Sequence, residues 1–311
     1  MDADAVIIGA GPAGCSCAIE LVRQKKRAVV FEKDKPGAYK ACGGMLRYSA
    51  LEELGFPVHF LDEAGAVRME HFIFSKGKRG CIKLEETRKM HAAPRAVIDS
   101  FFQKYAADCG VKILFSTPVR TIVPVDGGYE VNGITAKNVV LACGAYSRIE
   151  ICGKNVLPSN RSFLPVAVSA EIEGTCFMDH FYYIDFDRGG KNTYAWLFNI
   201  GKNLWNIGVG LEDHKETVNA CFDSFFNYIY GNSWDSFFYT KPVFIHKPQG
   251  RILGTHSPLL AKMNLYTELP PHIYCIGDTD LCVEYPSGEG IPEALQSGKK
   301  LALELCGACN A

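Results

Sequence analysis

A layered α/β architecture is predicted: a parallel sheet flanked by helices, plus an inserted, mostly antiparallel β region. Three observations predict it. Ala5 to Ile8, a short apolar β-branched run, leads through a glycine turn into a helical pattern and then into a second apolar run, Ala28 to Phe31. The middle of the chain, roughly 155 to 250, changes to aromatic-rich, strand-like segments. The end returns to the first pattern, with Ile273 to Ile276 followed by a helical stretch from Gly290 to Leu305.

The elements follow in order. Ala5 to Ile8 reads as a buried parallel strand, Gly9 to Gly14 as a turn, Pro12 to Gln24 as a helix, and Ala28 to Phe31 as a second buried strand ending at Glu32. This makes a strand–helix–strand unit of about 30 residues, the size a dinucleotide fingerprint needs. Arg95 to Ala107 carries Val97, Ile98, Phe101, Phe102 and Tyr105 near helical spacing, and Val111 to Phe115 reads as a strand. Val119 to Val125 and Tyr129 to Ile134 read as a hairpin around Asp126-Gly127-Gly128, and Val139 to Ala142 as another buried strand. Pro165 to Ile172, Phe181 to Asp185, Thr193 to Asn199 and Trp205 to Gly210 read as antiparallel strands, followed by a helix from Glu216 to Tyr230. A discontinuous nucleotide-binding domain is therefore expected over 1–155 and 251–311, with a short substrate-side excursion at about 45–90. A substrate-binding domain is expected over 156–250.

The 311 residues are 48% hydrophobic and carry a formal net charge of -1, which leaves no basic field for nucleic acid. No apolar run is long enough to span a bilayer. The start, Met1-Asp2-Ala3-Asp4, lacks the basic and apolar regions of a signal peptide, so a cytoplasmic protein is expected. The 13 cysteines show no metal-ligand spacing: Cys306-Gly307-Ala308-Cys309 has no second pair to complete a set of four. His71, His91, His180, His214, His246 and His256 show none either, so no metal is expected. Lys241 to Arg251, with His246 and Lys247, is a modest basic run read as a solvated loop.

Gly9-Ala10-Gly11-Pro12-Ala13-Gly14 has the GxGxxG pattern. The first glycine permits the tight turn, the second lets backbone approach a pyrophosphate, and the third lets helix and strand pack closely. The helix N-terminus supplies unpaired N–H groups and a favourable dipole for the anion. Glu32, with Lys33 beside it, closes the second strand where a carboxylate binds an adenosine ribose and repels a 2′-phosphate. The alternative is a glycine turn that serves packing alone. The choice of dinucleotide rests on Gly277-Asp278, a strand-end carboxylate suited to ribityl hydroxyls. Beyond it, Pro286-Ser287-Gly288-Glu289-Gly290-Ile291 opens a helix whose dipole suits a flavin's pyrimidine edge. FAD is the expected cofactor.

With these motifs in place, the chain resembles the geranylgeranyl reductase-like family of FAD-dependent oxidoreductases, which share the para-hydroxybenzoate hydroxylase-type flavoprotein fold. Ala41-Cys42-Gly43-Gly44-Met45 is similar to the family's Cys-Gly-Gly flavin loop, and Ala142-Cys143-Gly144 to its Ala-Thr-Gly strand end. Arg95 stands at the position of the family's cofactor-binding arginine. Tyr194-Ala195-Trp196-Leu197-Phe198-Asn199 resembles its Tyr-x-Trp-x-Phe-Pro segment, with Gly208 and Gly210 as the following glycine pair. The sequence departs from the pattern at Asn199. The resemblance implies a Rossmann-type FAD-binding domain with an inserted β substrate domain. It also implies a flavoprotein that reduces carbon–carbon double bonds of a prenyl-like or other apolar substrate by hydride transfer from N5 of reduced FAD.

Tyr194, Trp196 and Phe198 share one strand face, where they line a substrate pocket or simply pack the core. Cys42 and Tyr194 are the candidate proton donors, and a Cys42–Cys282 redox pair is a further expectation. Electrons are expected from NAD(P)H or from a partner reductase or ferredoxin, and peripheral contact with a membrane is compatible with a prenyl-lipid substrate. A flavin monooxygenase or halogenase of the same fold is the competing enzyme reading. A non-catalytic flavin or lipid carrier is the competing reading of another class.

Overall fold

The computed structural model describes residues 1–84, 90–155, 165–188, 194–211, 215–231, 236–253, 269–284 and 287–307. Thr193, His214, His256, Pro286 and Cys309, named above, lie outside them. In chain order the strands are β1 (Ala3–Ile8), β2 (Ala28–Phe31), β3 (Met45–Arg47), β4 (Val67–Arg68), β5 (His71–Lys76), β6 (Lys78–Lys83), β7 (Met90–Ala92), β8 (Lys112–Leu114), β9 (Thr121–Val125) and β10 (Gly128–Val131). They continue with β11 (Ile134–Leu141), β12 (Glu150–Ile151), β13 (Lys154–Asn155), β14 (Val166–Glu173), β15 (Phe181–Asp185), β16 (Ala195–Gly201), β17 (Leu204–Leu211), β18 (Val243–Ile252) and β19 (Ile273–Cys275). The helices are α1 (Pro12–Arg23), α2 (Tyr48–Glu53), α3 (Phe60–Glu63), α4 (Arg95–Asp108), α5 (Lys215–Tyr228) and α6 (Ile291–Leu305).

The chain divides into two compact units. The first comprises residues 1–38, 99–164 and 253–311; the second comprises 39–98 and 165–252. The boundary falls inside α4.

The first unit is a sheet in the order β13-β12-β9-β10-β11-β1-β2-β8, with β19 on β11. Its centre is parallel: β1 pairs with both β2 and β11, and β11 with β19. These strands are buried on both faces, which is why they read as unbroken apolar runs. Ala3, Val6, Ile8, Phe31, Val139, Leu141 and Ile273 share one core. Helix α1 lies against α6 at small residues: a Cβ on Gly298 would sit 2.2 Å from the Ala13 carbonyl oxygen. The Ser16 hydroxyl, buried at this crossing, donates to the Leu295 carbonyl at 2.7 Å.

The hairpin expected from Val119 to Ile134 forms as β9 and β10, which pair antiparallel around Asp126 and Gly127, but its second strand stops at Val131. Asn132 (φ 48°) and Gly133 (φ 79°) form a second tight turn, and β11 starts at Ile134 and runs on to Leu141. Two consecutive positive φ values give the primed turn that suits strand twist. One strand is thereby antiparallel to β10 at its start and parallel to β1 at its end.

The second unit holds a seven-stranded sheet, β18-β14-β17-β16-β15-β5-β6, and a small sheet, β3-β7-β4. Its large sheet is antiparallel except where β15 meets β5. Helix α5 places Val218, Phe222, Phe225 and Phe226 on one face of this sheet, against Val168, Ala170, Ile172, Leu197, Ile207 and Val209. Strand alternation decides which side chains these are. Each phenylalanine buried this way stabilises the unit by about 1.5–3 kcal/mol. Lys241 to Arg251, expected as a loop, mostly forms β18, an edge strand on β14. Phe244 explains the difference: it packs on Phe226 of α5 with ring centroids 4.6 Å apart. The basic side chains of this run suit an edge, where charge discourages pairing with another chain.

Asp185 is fully buried at the end of β15. It accepts hydrogen bonds from the Tyr183 hydroxyl (2.7 Å), the Arg188 guanidinium (2.9 Å) and the backbone N–H groups of Asp187 and Arg188 (3.0 Å each). The Arg188 guanidinium lies 3.5 Å over the Tyr228 ring, tying the turn to α5. Removing one partner of such a network leaves buried groups unpaired. Asp185→Ala is therefore expected to lower stability by about 3–5 kcal/mol. Urea unfolding followed by circular dichroism checks this, and a loss below 1 kcal/mol would contradict it.

Candidate active site

In the first unit the register brings four strand ends level. Ile8 pairs with Phe31 on one side and Leu141 on the other, and Leu141 pairs with Cys275. The loops that follow, at Gly9, Glu32, Ala142 and Gly277, therefore leave one edge of the sheet together. This carboxyl edge is where open α/β sheets bind ligands.

Gly9 takes φ 110°, and its N–H donates to the Phe31 carbonyl at 2.8 Å. A Cβ there would lie 2.3 Å from the Ala142 carbonyl oxygen, and one on Gly14 only 1.9 Å from that of Gly9. The turn is thus closed to side chains at both positions. Gly11 caps α1 without a side-chain hydrogen bond, Pro12 opens the helix, and no acidic residue stands in the first turn. The unpaired N–H groups and the helix dipole are left for an anion. The Glu32 carboxylate accepts from the Ala10 N–H at 2.7 Å through one oxygen and from the Asp34 N–H at 3.0 Å through the other. It is held in place, and each oxygen keeps a lone pair for a hydroxyl donor. Lys33 pairs with Asp34. Gln103, from α4, donates to the Ala10 carbonyl at 3.1 Å.

The second half of the motif set converges on the same loops. Gly277 (φ 63°) begins a short 3₁₀ turn, Gly277–Asp280, which holds the half-buried Asp278. A Cβ on Gly277 would come within 2.8 Å of the Ala13 side chain, so this turn abuts α1. The Ser297 hydroxyl accepts from the Gly277 N–H at 2.9 Å. Buried Thr279 donates to the Gly144 carbonyl at 3.1 Å, which ties the Ala142–Gly144 loop to Gly277–Asp278. Gly288 takes φ 72°, and Gly290 caps α6 just ahead of buried Ile291. The donor set, the closed glycine turn and the uncapped helix start together fit the ADP half of FAD.

In the second unit the Cys42-Gly43-Gly44-Met45 loop lies on the aromatic row of β16. A Cβ on Gly43 would fall 2.8 Å from the Phe198 ring and 3.5 Å from Trp196 Nε1. Gly44 (φ 72°) lies against Ala93: the Ala93 N–H donates to the Gly44 carbonyl at 3.0 Å. Trp196 Nε1–H donates to Asn206 Oδ1 at 2.8 Å, and Asn206 Nδ2–H donates to the Cys42 carbonyl at 2.8 Å. One asparagine thus fixes both the indole and the loop. Gly208 leaves room for the indole, since a Cβ there would lie 2.0 Å from the Trp196 ring.

Tyr194 meets Trp196 edge-on at 6.0 Å, and Trp196 stacks near Phe198 at 6.1 Å. Trp196 and Phe198 are buried in a cluster with Met69, Ala92 and Ile200, while Tyr194 is half-buried beside it. Asn199 accepts from the His180 N–H at 3.1 Å and donates to the Gly201 carbonyl at 2.8 Å, closing the β16–β17 hairpin. Arg95 is buried at the start of α4.

Cys42 lies in the second unit and Cys282 in the first, and both thiols are free. Burial first, then the Asp278 charge, pushes the Cys282 thiol up to about 12. Such a thiol is a poor nucleophile near neutrality. Asn206, Gln103, Thr279 and Ser297 were not anticipated from the sequence. Asn206 had a signal, a polar residue between Trp205 and Ile207 on an apolar strand. The other three had none.

The family model described as FAD dependent oxidoreductase matches residues 4–55 and 45–172. Digeranylgeranylglycerophospholipid reductase 1 of Methanopyrus kandleri is 28% identical over 231 residues, covering 70% of this chain and 60% of that protein. Menaquinone reductase of Mycolicibacterium smegmatis is 25% identical, covering 97% of this chain and 76% of that one. The crystal structure of a geranylgeranyl bacteriochlorophyll reductase-like protein from Thermoplasma acidophilum superposes with a TM-score of 0.78. It is 17% identical and covers 98% of this chain and 78% of that one. No helix among the described residues is long and apolar enough to cross a membrane. The family model spans more than half of the sequence: the chain belongs to the FAD dependent oxidoreductase family, whose cofactor is FAD.

Proposed function

We propose that this protein reduces carbon–carbon double bonds of a prenyl-like or other apolar substrate. The observation that carries the reading is the aromatic row Tyr194, Trp196 and Phe198 with the Cys42–Met45 loop pinned against it by Asn206. An apolar wall beside a fixed flavin loop suits an apolar substrate, and the names of the two reductase relatives support it. Reduced FAD, when bound, supplies a hydride.

The chain's own residues do the rest. Gly11, Ala13 and Gly14 offer backbone N–H groups to the pyrophosphate, Gly9 makes the turn, Pro12 (which has no N–H) opens the helix, and Glu32 accepts from the adenosine ribose. In the first unit Lys33, Ala142, Gly144, Gly277, Asp278, Gly288, Gly290 and Ile291 are the further cofactor-binding residues of this reading; in the second unit they are Arg95 and the loop Cys42, Gly43, Gly44 and Met45. Asp278 accepts from ribityl hydroxyls, and the α6 N-terminus favours negative charge. The rings exclude water, and Cys42 and Tyr194 are the candidate proton donors of this reading. Electrons arrive from NAD(P)H or a reductase or ferredoxin partner, and a prenyl-lipid substrate brings the protein to a membrane surface.

The test is anaerobic. FAD-loaded protein is reduced with dithionite, desalted and mixed with geranylgeraniol. Reoxidation of the flavin with a product two mass units heavier is expected. A flavin that reoxidises only with oxygen, forming a hydroxylated or halogenated product, would replace this reading with the monooxygenase or halogenase one.

A further inference from the structure

One corner of the second unit gathers ionisable groups outside the cofactor set. Strands β14 and β18 pair with register shifts between Ser169 and Glu171 and between Glu171 and Ile172. Bulges of this kind re-aim side chains and concentrate at sheet edges, as here at β18, and beside active sites. Here they set Glu171 opposite His246. Glu171 is only 5% exposed, and its ion-pair partner is His246, with Nε2 and Oε2 3.6 Å apart. The His246 ring stacks on Tyr39, centroids 4.0 Å apart and planes 16° from parallel. Tyr39 stands three residues before Cys42, and its hydroxyl is buried. The His246 side chain is 42% exposed, that of Glu171 is 7% exposed, and Tyr39 is half-buried.

Burial disfavours the charged form of both Tyr39 and Glu171. Burial, then the charge of Glu171, pushes the Tyr39 phenol up to about 12. Burial raises the Glu171 carboxyl, and His246 pulls it part of the way back. The ionisable groups that face the cluster are Glu171 from β14, His246 and Arg251 from β18, and Tyr39 and Cys42 from the loop, with the Ser169 hydroxyl beside Tyr39. Glu171 is a far stronger acid than Tyr39, so proton flow from Glu171 to a Tyr39 phenolate runs downhill. Perturbed acids grouped with a specific charge partner mark a candidate functional site.

We propose that Tyr39, Glu171 and His246 form the proton supply of the reaction, with Tyr39 as donor and His246 as the entry from solvent. This rests on the double-bond-reducing reading above. The hydride carries both electrons to one carbon, and the other carbon takes the Tyr39 hydroxyl proton as the second carbon–hydrogen bond forms. The phenolate regains a proton from Glu171, Glu171 regains one from protonated His246, and His246 regains one from water. The net uptake is one solvent proton per double bond. The Tyr39 hydroxyl has no hydrogen-bond partner among the described residues, so proton transfer to it from Glu171, like the 3.6 Å step from His246 to Glu171, requires a small side-chain rotation or one bridging water.

Two measurements test it. Infrared titration of the FAD-loaded protein is expected to show a protonated-carboxyl band persisting above the ordinary carboxylate range. The band should be missing in Glu171→Gln and should move to higher pH in His246→Ala. Single-turnover reoxidation by geranylgeraniol is expected to slow at least tenfold in Tyr39→Phe, Glu171→Gln and His246→Ala. Added imidazole should restore His246→Ala, an effect that a purely structural role would not produce. Wild-type rates in Tyr39→Phe, absence of imidazole rescue, or no such infrared band would each overturn the proposal. If geranylgeraniol does not reoxidise the wild-type protein, the substrate reading fails, and the relay is still decided by the infrared titration.

Discussion

Replacing Gly14 with alanine is expected to strip the protein of its flavin. The added Cβ would lie 1.9 Å from the Gly9 carbonyl oxygen and 3.3 Å from the Ala142 side chain. The first is backbone, so no side-chain rotation relieves the clash. Relief requires α1 to move away from β1, and the N–H groups of its first turn move with it. Overpacking of this kind costs about 1–3 kcal/mol. A comparable loss of anion binding raises the dissociation constant by ten- to a hundredfold or more. The purified variant is expected to be colourless, with an unchanged far-ultraviolet dichroism spectrum. Flavin absorbance per protein after gel filtration is the measurement. A variant that keeps a full complement of FAD would show that the turn serves packing and not the cofactor. Glu32→Ala makes a graded comparison. It removes the acceptor of the Ala10 N–H and the proposed ribose contact, and it introduces no clash. Its flavin should be weakened but detectable.

What the sequence disclosed, and what it did not, follows from the range of the interactions involved. The Gly9–Gly14 turn was legible because backbone sterics act within a few residues, and each glycine has a local reason to be one. The runs Ala28 to Phe31 and Phe181 to Asp185 were legible because burial writes a pattern directly into the strand. The break at Asn132-Gly133 was overlooked because a glycine turn already stood at Gly127-Gly128, and one apolar run seemed to cross it. Strand β18 was hidden because its pattern is polar. Its partner β14 and the Phe244 contact with α5 make it a strand, and both are distant in sequence. The hairpin of β5 and β6 went unread for a similar reason: β5 is fixed by a parallel neighbour, β15, more than a hundred residues away. The proposed site divides along the same line. Residues with a backbone reason, such as Gly43, Gly44 and Gly277, were visible. Residues whose reason is a single distant partner, such as Thr279 with Gly144 or Gln103 with Ala10, were not.

Asn206→Leu is expected to lower both the stability of the second unit and the rate of the reaction. Leucine has the branching and heavy-atom count of asparagine but bulkier methyl groups, so some overpacking adds to the loss of its hydrogen bonds. Two groups lose their partners at once, the Trp196 indole N–H and the Cys42 carbonyl, each now bonded at 2.8 Å. Trp196 and Asn206 are both almost fully buried, so water does not replace those bonds without rearrangement. Each unpaired buried group costs about 1–3 kcal/mol, which sets the expected loss of stability for the two at about 2–6 kcal/mol in urea unfolding. The effect on chemistry should be separable from the effect on folding. Asn206→Asp keeps an acceptor for the indole but cannot donate to the Cys42 carbonyl, so it frees the loop and leaves Trp196 anchored. Gly208→Ala does the reverse: it leaves the loop bond in place and pushes on the indole, which a Cβ would approach to 2.0 Å. If the loop positions the reaction, Asn206→Asp slows anaerobic reoxidation by geranylgeraniol more than Gly208→Ala does, while both retain more FAD than Gly14→Ala. If the aromatic row governs the rate, the order of the two variants reverses. Equal rates in both, at the wild-type level, would mean that neither the loop nor the row shapes the reaction, and the substrate would have to be sought on another face of the unit.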